Sequence, residues 1–163
     1  TGKFSLNYGL ILGGLGVVFG LMLYFQDAHT AQNTISQVIS IVLMVAVIFW
    51  GITNFKKANG GYLKIGQALK LGAGIALIAG IISVLYALFL ANVLDPDFAN
   101  KVMDERMAEA AAEYNLTSEQ IAQQKEMGLK FWWVGYPVIL IFNILIGLLV
   151  GLVGGLIFKK SED

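Results

Sequence analysis

The feature that most limits what this chain can fold into is a set of four long apolar runs. Residues 6–25, 35–53, 71–93 and 133–158 contain no charged side chain. A helix crossing a hydrocarbon core of roughly 30 Å needs about 20 mostly apolar residues, so each run reads as a transmembrane helix. The first is too long for the apolar core of a secretory signal. The residues after it, Gln26, Asp27, Ala28 and His29, offer no small-residue cleavage site. Composition makes the same point: hydrophobic residues are 57% and charged residues 13% of the 163 positions, where a soluble domain carries roughly 25% charged residues. A chain this small has too much surface for its volume to hide that apolar excess from water. The expectation is an all-α, integral membrane four-helix bundle forming a single membrane domain over residues 1–163.

Lys and Arg, more than the acids, set the orientation of such a bundle. Lys3 precedes the first run, Lys56, Lys57, Lys64 and Lys70 lie between the second and third, and Lys159 and Lys160 follow the fourth. The turn over residues 26–34 has no basic residue. Lys101, Arg106, Lys125 and Lys130 sit in residues 92–130 among eight acids: Asp95, Asp97, Asp104, Glu105, Glu109, Glu113, Glu119 and Glu126. Seven lysines thus share one side with both termini. That side reads as cytoplasmic and the acidic segment as extracytoplasmic. Tyr24, Phe25, Trp132, Trp133 and Tyr136 fall at the outer boundary, where amphipathic rings prefer to sit. Trp132 and Trp133 there, with Lys159 and Lys160 at the inner boundary, are the expected membrane-interface anchors.

The outer segment, about residues 96–130, reads as helical. Asp95 is an expected N-cap with Pro96 in the first helical position. Met103, Met107, Ala110 and Tyr114 then share one helical face. Asn115 is a stop, and Thr117 with Gln120 forms a capping box that starts a second helix. The two helices are expected near 96–114 and 118–130, the second running on past Gly128 into the fourth span. They read as a solvated amphipathic cap on the bundle.

Small residues are arranged in stripes. Gly9, Gly13, Gly16 and Gly20 line one face of the first span, and Ala73, Ala76, Gly80, Ser83 and Ala87 one face of the third. Asn143, Gly147, Gly151 and Gly154 do the same in the fourth. Lipid provides no hydrophobic drive for helix association, so close backbone approach along such faces supplies dispersion instead. The second span, rich in Ile and Val, suits greater lipid exposure. The three small-residue faces serve packing within the bundle, with one available for a second copy or another membrane protein.

Little here carries chemistry. Cysteine is absent and His29 is the single histidine, which removes thiolate sites and leaves no histidine metal cluster. No ionisable side chain lies centrally in a span; the polar groups there are Ser83, Tyr86 and Asn143, and Asn143 reads as interhelical glue. Pro137 opens the fourth span as a tolerated first-turn residue. His29 reads as an ordinary exposed turn residue. The expectation is no catalytic residue, no metal site, no cofactor and, with net charge zero and no basic face, no nucleic-acid partner.

Certain runs are more specific. They are Leu6-Asn7-Tyr8-Gly9-Leu10-Ile11, the stretch Gly60-Gly61-Tyr62-Leu63-Lys64-Ile65-Gly66-Gln67-Ala68-Leu69-Lys70-Leu71-Gly72, Asp95-Pro96-Asp97-Phe98, and Thr117-Ser118-Glu119-Gln120-Ile121. Together they resemble a bacterial family of small four-span membrane proteins, the domain-of-unknown-function 4199 family. The resemblance covers nearly the whole chain and implies a bacterial cytoplasmic (inner) membrane location, with no activity to carry over. A tight turn delivering the third span is one reason for the Gly60 to Gly72 run, with Gln67 capping carbonyls of a neighbouring helix end. The functional expectation is a non-enzymatic structural or accessory subunit, surrounded by membrane lipids and associating with another membrane protein or with itself. The alternative is a small oligomeric transporter or channel.

Overall fold

The computed structural model describes residues 1–30 and 33–161. Six α-helices follow one another: α1 Gly2–Phe25, α2 Thr34–Ala58, α3 Ile65–Phe89, α4 Phe98–Tyr114, α5 Ser118–Lys130 and α6 Gly135–Phe158. A π-helical turn, Leu90–Leu94, extends α3, and a 3-10 turn, Trp132–Val134, leads into α6. α1, α2, α3 with its extension, and α6 with its leading turn are long and apolar enough to cross a membrane. They form the bundle. α4 and α5 cap the end opposite both termini.

α3 is the central helix, packing most extensively on α6 and next on α1. Glycine makes this possible. A Cβ on Gly72 would collide with the carbonyl oxygen of Gly147, one on Gly147 would lie 2.5 Å from the Gly72 oxygen, and one on Gly151 2.6 Å from that of Ala68. The two backbones therefore touch directly. On the other side of α3, Ile78, Ile82 and Tyr86 form a ridge at four-residue spacing. They fill the hollows over Gly9, Gly13 and Gly20 of α1, as ridges enter grooves in close helix packing.

α2 divides in two. Its half near the termini is core: Met44, Val47, Ile48, Ile52 and Phe55 are buried, and Ile52 reaches the hollow at Gly154. Its half near the cap stands clear, with Ile35, Val38, Ile39, Ile41 and Val42 exposed. The expectation of a lipid-exposed second span therefore holds for its first half only. α2 lacks a glycine stripe, so it packs mainly through large side chains, with its single Gly51 receiving Ile75 and Tyr8.

At the termini end, Gly60 and Gly61 take positive φ of 71° and 85° and turn the chain out of α2. Leu63 and Lys160 then exchange two backbone hydrogen bonds of 3.0 and 2.9 Å. Gln67 does not cap a neighbouring helix. Its Oε1 accepts from the Lys64 N–H at 3.0 Å, reaching back to satisfy an amide left free at the start of its own helix.

At the cap end, the boundary near Asp95 differs from the expectation. α4 begins at Phe98 with Asp97 as its N-cap residue, and the Asp95 carboxylate is engaged elsewhere. α5 also stops short of the fourth span, since the chain breaks at Phe131 before the 3-10 turn. Asn115, with φ 52°, ends α4 in the left-handed region. Thr117 and Gln120 cap α5 reciprocally, at 3.2 and 2.9 Å. Lys125 bridges to Asp104 at 2.7 Å and ties α5 to α4. Pro137 lies in the first turn of α6, where the missing N–H has no helical partner to lose.

Candidate functional site

Two places gather polar side chains. The first is at the cap end. Asp27, with φ 56°, turns the chain out of α1 and brings His29 back towards the α3–α4 junction. His29 Nε2 lies 2.8 Å from Asp95 Oδ2, with both side chains almost wholly buried (5% and 8% exposed). A carboxylate can only accept, so Nε2 donates. Lys101 Nζ donates to both Asp95 oxygens at 3.1 and 3.0 Å. Thr30 donates to Glu105 at 2.8 Å, and the Tyr24 hydroxyl donates to the Leu94 carbonyl at 3.1 Å. The imidazole packs between Tyr24 and Phe98, and Phe98 meets Trp132 edge-on. The hydrogen bond from His29, more than the cation of Lys101, holds the Asp95 carboxyl below its ordinary range against the opposing effect of burial. The Lys101 ammonium is correspondingly raised by its bond to Asp95. The arrangement is a charge-assisted clasp that fastens the α1–α2 turn to the start of α4.

His29 is therefore not an exposed turn residue, and Asp95 does not serve as a helix N-cap. Sequence reasoning missed their pairing because 66 positions separate them. The one available signal was the clustering of Asp27 and His29 at the same membrane boundary as Asp95.

The second place is within the bundle. A cavity of about 200 Å³ is lined by Gly16 of α1, Ser40 and Met44 of α2, Ser83 of α3 and Asn143 of α6. Asn143 donates to the Ala76 carbonyl across the α3–α6 seam at 2.8 Å. Ser40 returns its hydroxyl to the Ser36 carbonyl. The cavity lies where the free half of α2 parts from its neighbours.

The stripe residues separate accordingly. Gly9, Gly13 and Gly20 meet α3, Gly147 and Gly151 meet α3, and Gly154 meets α2. Ala76 is fully buried, and Gly80 lies against Leu140 and Asn143 of α6. Gly16, though in register with its stripe, has open space where a Cβ would be, as does Gly14. Ser83 is exposed. Trp132 donates to the Tyr136 hydroxyl at 3.2 Å, while Trp133 is 64% exposed at the same level. At the other end Lys159 is exposed, and Lys160 places its ammonium 5.9 Å from the centre of the Tyr62 ring.

A family model described as "Protein of unknown function (DUF4199)" matches residues 7–160. No curated protein and no solved structure matches the chain.

Proposed function

The chain belongs to the DUF4199 family, and from that premise we propose that it is a non-enzymatic accessory subunit whose open cleft receives a transmembrane helix of another protein or of a second copy. One observation carries this reading: the bundle is complete at the termini end and incomplete at the cap end. Gly16 of α1 has nothing against it where a Cβ would stand and lines the cleft with Ser40 of α2, whose first half is exposed. Small-residue surfaces of this kind pack helices in lipid. The distribution of lysines supports an orientation with both termini in the cytoplasm. The family resemblance supports a bacterial inner membrane.

The absence of native cysteine makes the test clean. Ser40→Cys places a thiol in the cleft and Ile141→Cys places one on the exposed face of α6. Thiol cross-linking in native membranes is expected to yield a discrete adduct from the first and none from the second. Native mass spectrometry then identifies the adduct as a second copy or another protein. Equal, diffuse labelling at both positions overturns the reading.

A second reading has its own observation, the cavity lined by Ser40, Ser83 and Asn143. On that reading the chain is a small oligomeric transporter. Solute flux into liposomes holding the purified chain alone, lost with Asn143→Leu, would favour it over the first.

A further inference from the structure

We propose that the groove between α4, the α5–α6 junction and the cap end of α3 binds an anionic phospholipid from the surrounding bilayer, with an acyl chain in the groove and the phosphate on Arg106. The groove has a volume of about 420 Å³, within the roughly 300–1,000 Å³ typical of small-molecule sites. Its floor is continuous with the membrane, since Ala87 and Ile139 belong to spanning helices. Its upper wall is Val102 and Met103 of α4. Trp132 stands at the boundary between the two levels, where indole rings sit at headgroup depth.

The charge at the rim selects the ligand. Arg106 lies one helical turn beyond Val102 and Met103, so it shares their face and lines the same groove. It is the sole arginine of the chain, is exposed, and makes no ion pair among the described residues. Lys130 adds a second cation 5.6 Å from the centre of the Phe131 ring, which also lines the groove. Of the acids beside it, Asp104 pairs with Lys125 and Glu105 accepts a hydrogen bond from Thr30, while Glu109 follows three positions on along the same helix. A guanidinium matches a phosphate in fork geometry. A zwitterionic lipid fills the groove equally well but brings its own cation to the rim. The preference is therefore for net negative charge.

The test uses the full chain in nanodiscs. Trp50→Phe and Trp133→Phe leave Trp132 as the one indole of the three. Lipid with brominated acyl chains quenches an indole it touches. Brominated phosphatidylglycerol is expected to quench Trp132 at a mole fraction at least threefold lower than brominated phosphatidylcholine. Arg106→Gln removes that preference, and Arg106→Lys keeps most of it. Equal quenching by the two lipids in the parent overturns the proposal without reference to any variant. So does a preference that survives Arg106→Gln.

Discussion

The two ends of the bundle are held by different physics. Towards the termini the helices meet through backbone, with Gly72, Gly147 and Gly151 in direct contact. The buried side chains of α1, α2 and the first part of α3 are gathered there. Among the described residues no ion pair contributes to that core. Towards the cap, α2 leaves its neighbours, and the α1–α2 turn is fastened by the His29–Asp95–Lys101 clasp. Where backbones touch, summed dispersion is enough. Where they part, order at the helix ends falls to a few charge-assisted bonds. A bundle built this way is closed by backbone contact at one end, and the proposed partner helix would enter at the other.

The largest expected effect breaks the glycine seam. Gly147→Leu forces a side chain into the Gly72 carbonyl and the Ala76 methyl. It should destabilise the bundle by about 3 kcal/mol, the upper part of the overpacking range, in unfolding by added SDS. Gly16→Leu has open space in front of it and should shift stability by less than about 1 kcal/mol, with helix propensity favouring the larger residue. Similar losses for the two variants would dissolve the contrast between the ends.

Next comes the clasp. Asp95→Asn removes the charge that both His29 and Lys101 face and should cost about 2 kcal/mol, as for hydrogen bonds to a charged group. Amide exchange locates the loss. It should quicken over residues 26–30 and 90–101 while residues 44–55 keep their protection. Uniform quickening along the chain would show that the ends do not act separately.

Acid and alkali should probe the clasp more gently. The Asp95 carboxyl is held below its ordinary value, first by His29. Its stabilisation is therefore present above about pH 3.9, the unperturbed value, and is lost as pH falls through the lowered one. The Lys101 ammonium is raised by Asp95. Its part is present below about pH 10.4 and is lost as pH rises through the raised value. Exchange near residues 26–30 should thus respond at both extremes beyond the intrinsic pH dependence of exchange, and Asp95→Asn should remove the response. Protection over residues 44–55 should show no such steps.

The termini end was largely legible in the sequence, because its order rests on local patterns. Uncharged runs locate spans, and glycine at spacings of three and four marks a face. Thr117 and Gln120 announce their own helix start for the same reason. The cap end was not, because its order rests on pairings between distant positions. Nothing around Asp95-Pro96 distinguishes a helix cap from a carboxylate committed to His29. Periodicity also overstates uniformity: Gly16 matches Gly9, Gly13 and Gly20 in register, yet nothing fills the space over it, because the α3 residues lining that space are the small Ala79 and Ser83, and α2 there offers Ser40 where it diverges. A stripe tells which residues can pack, and what the neighbouring helices place opposite decides which of them do.

The smallest expected effect lies where the two halves meet. Asn143 reaches across the seam to the Ala76 carbonyl at 2.8 Å and also lines the cavity beside the free half of α2. Its bond is redundant to a seam already closed by glycine, and hydrogen bonds between membrane helices average about 0.6 kcal/mol. Asn143→Leu should therefore lower stability by about that amount in SDS unfolding. A loss several times larger would mean that the polar contact, and not the backbone contact, sets the height at which the helices separate. A loss near the expected value places that control in the glycines. The amide is then free to serve the cavity, where Asn143→Leu also decides between a cleft for a helix and a path for a solute.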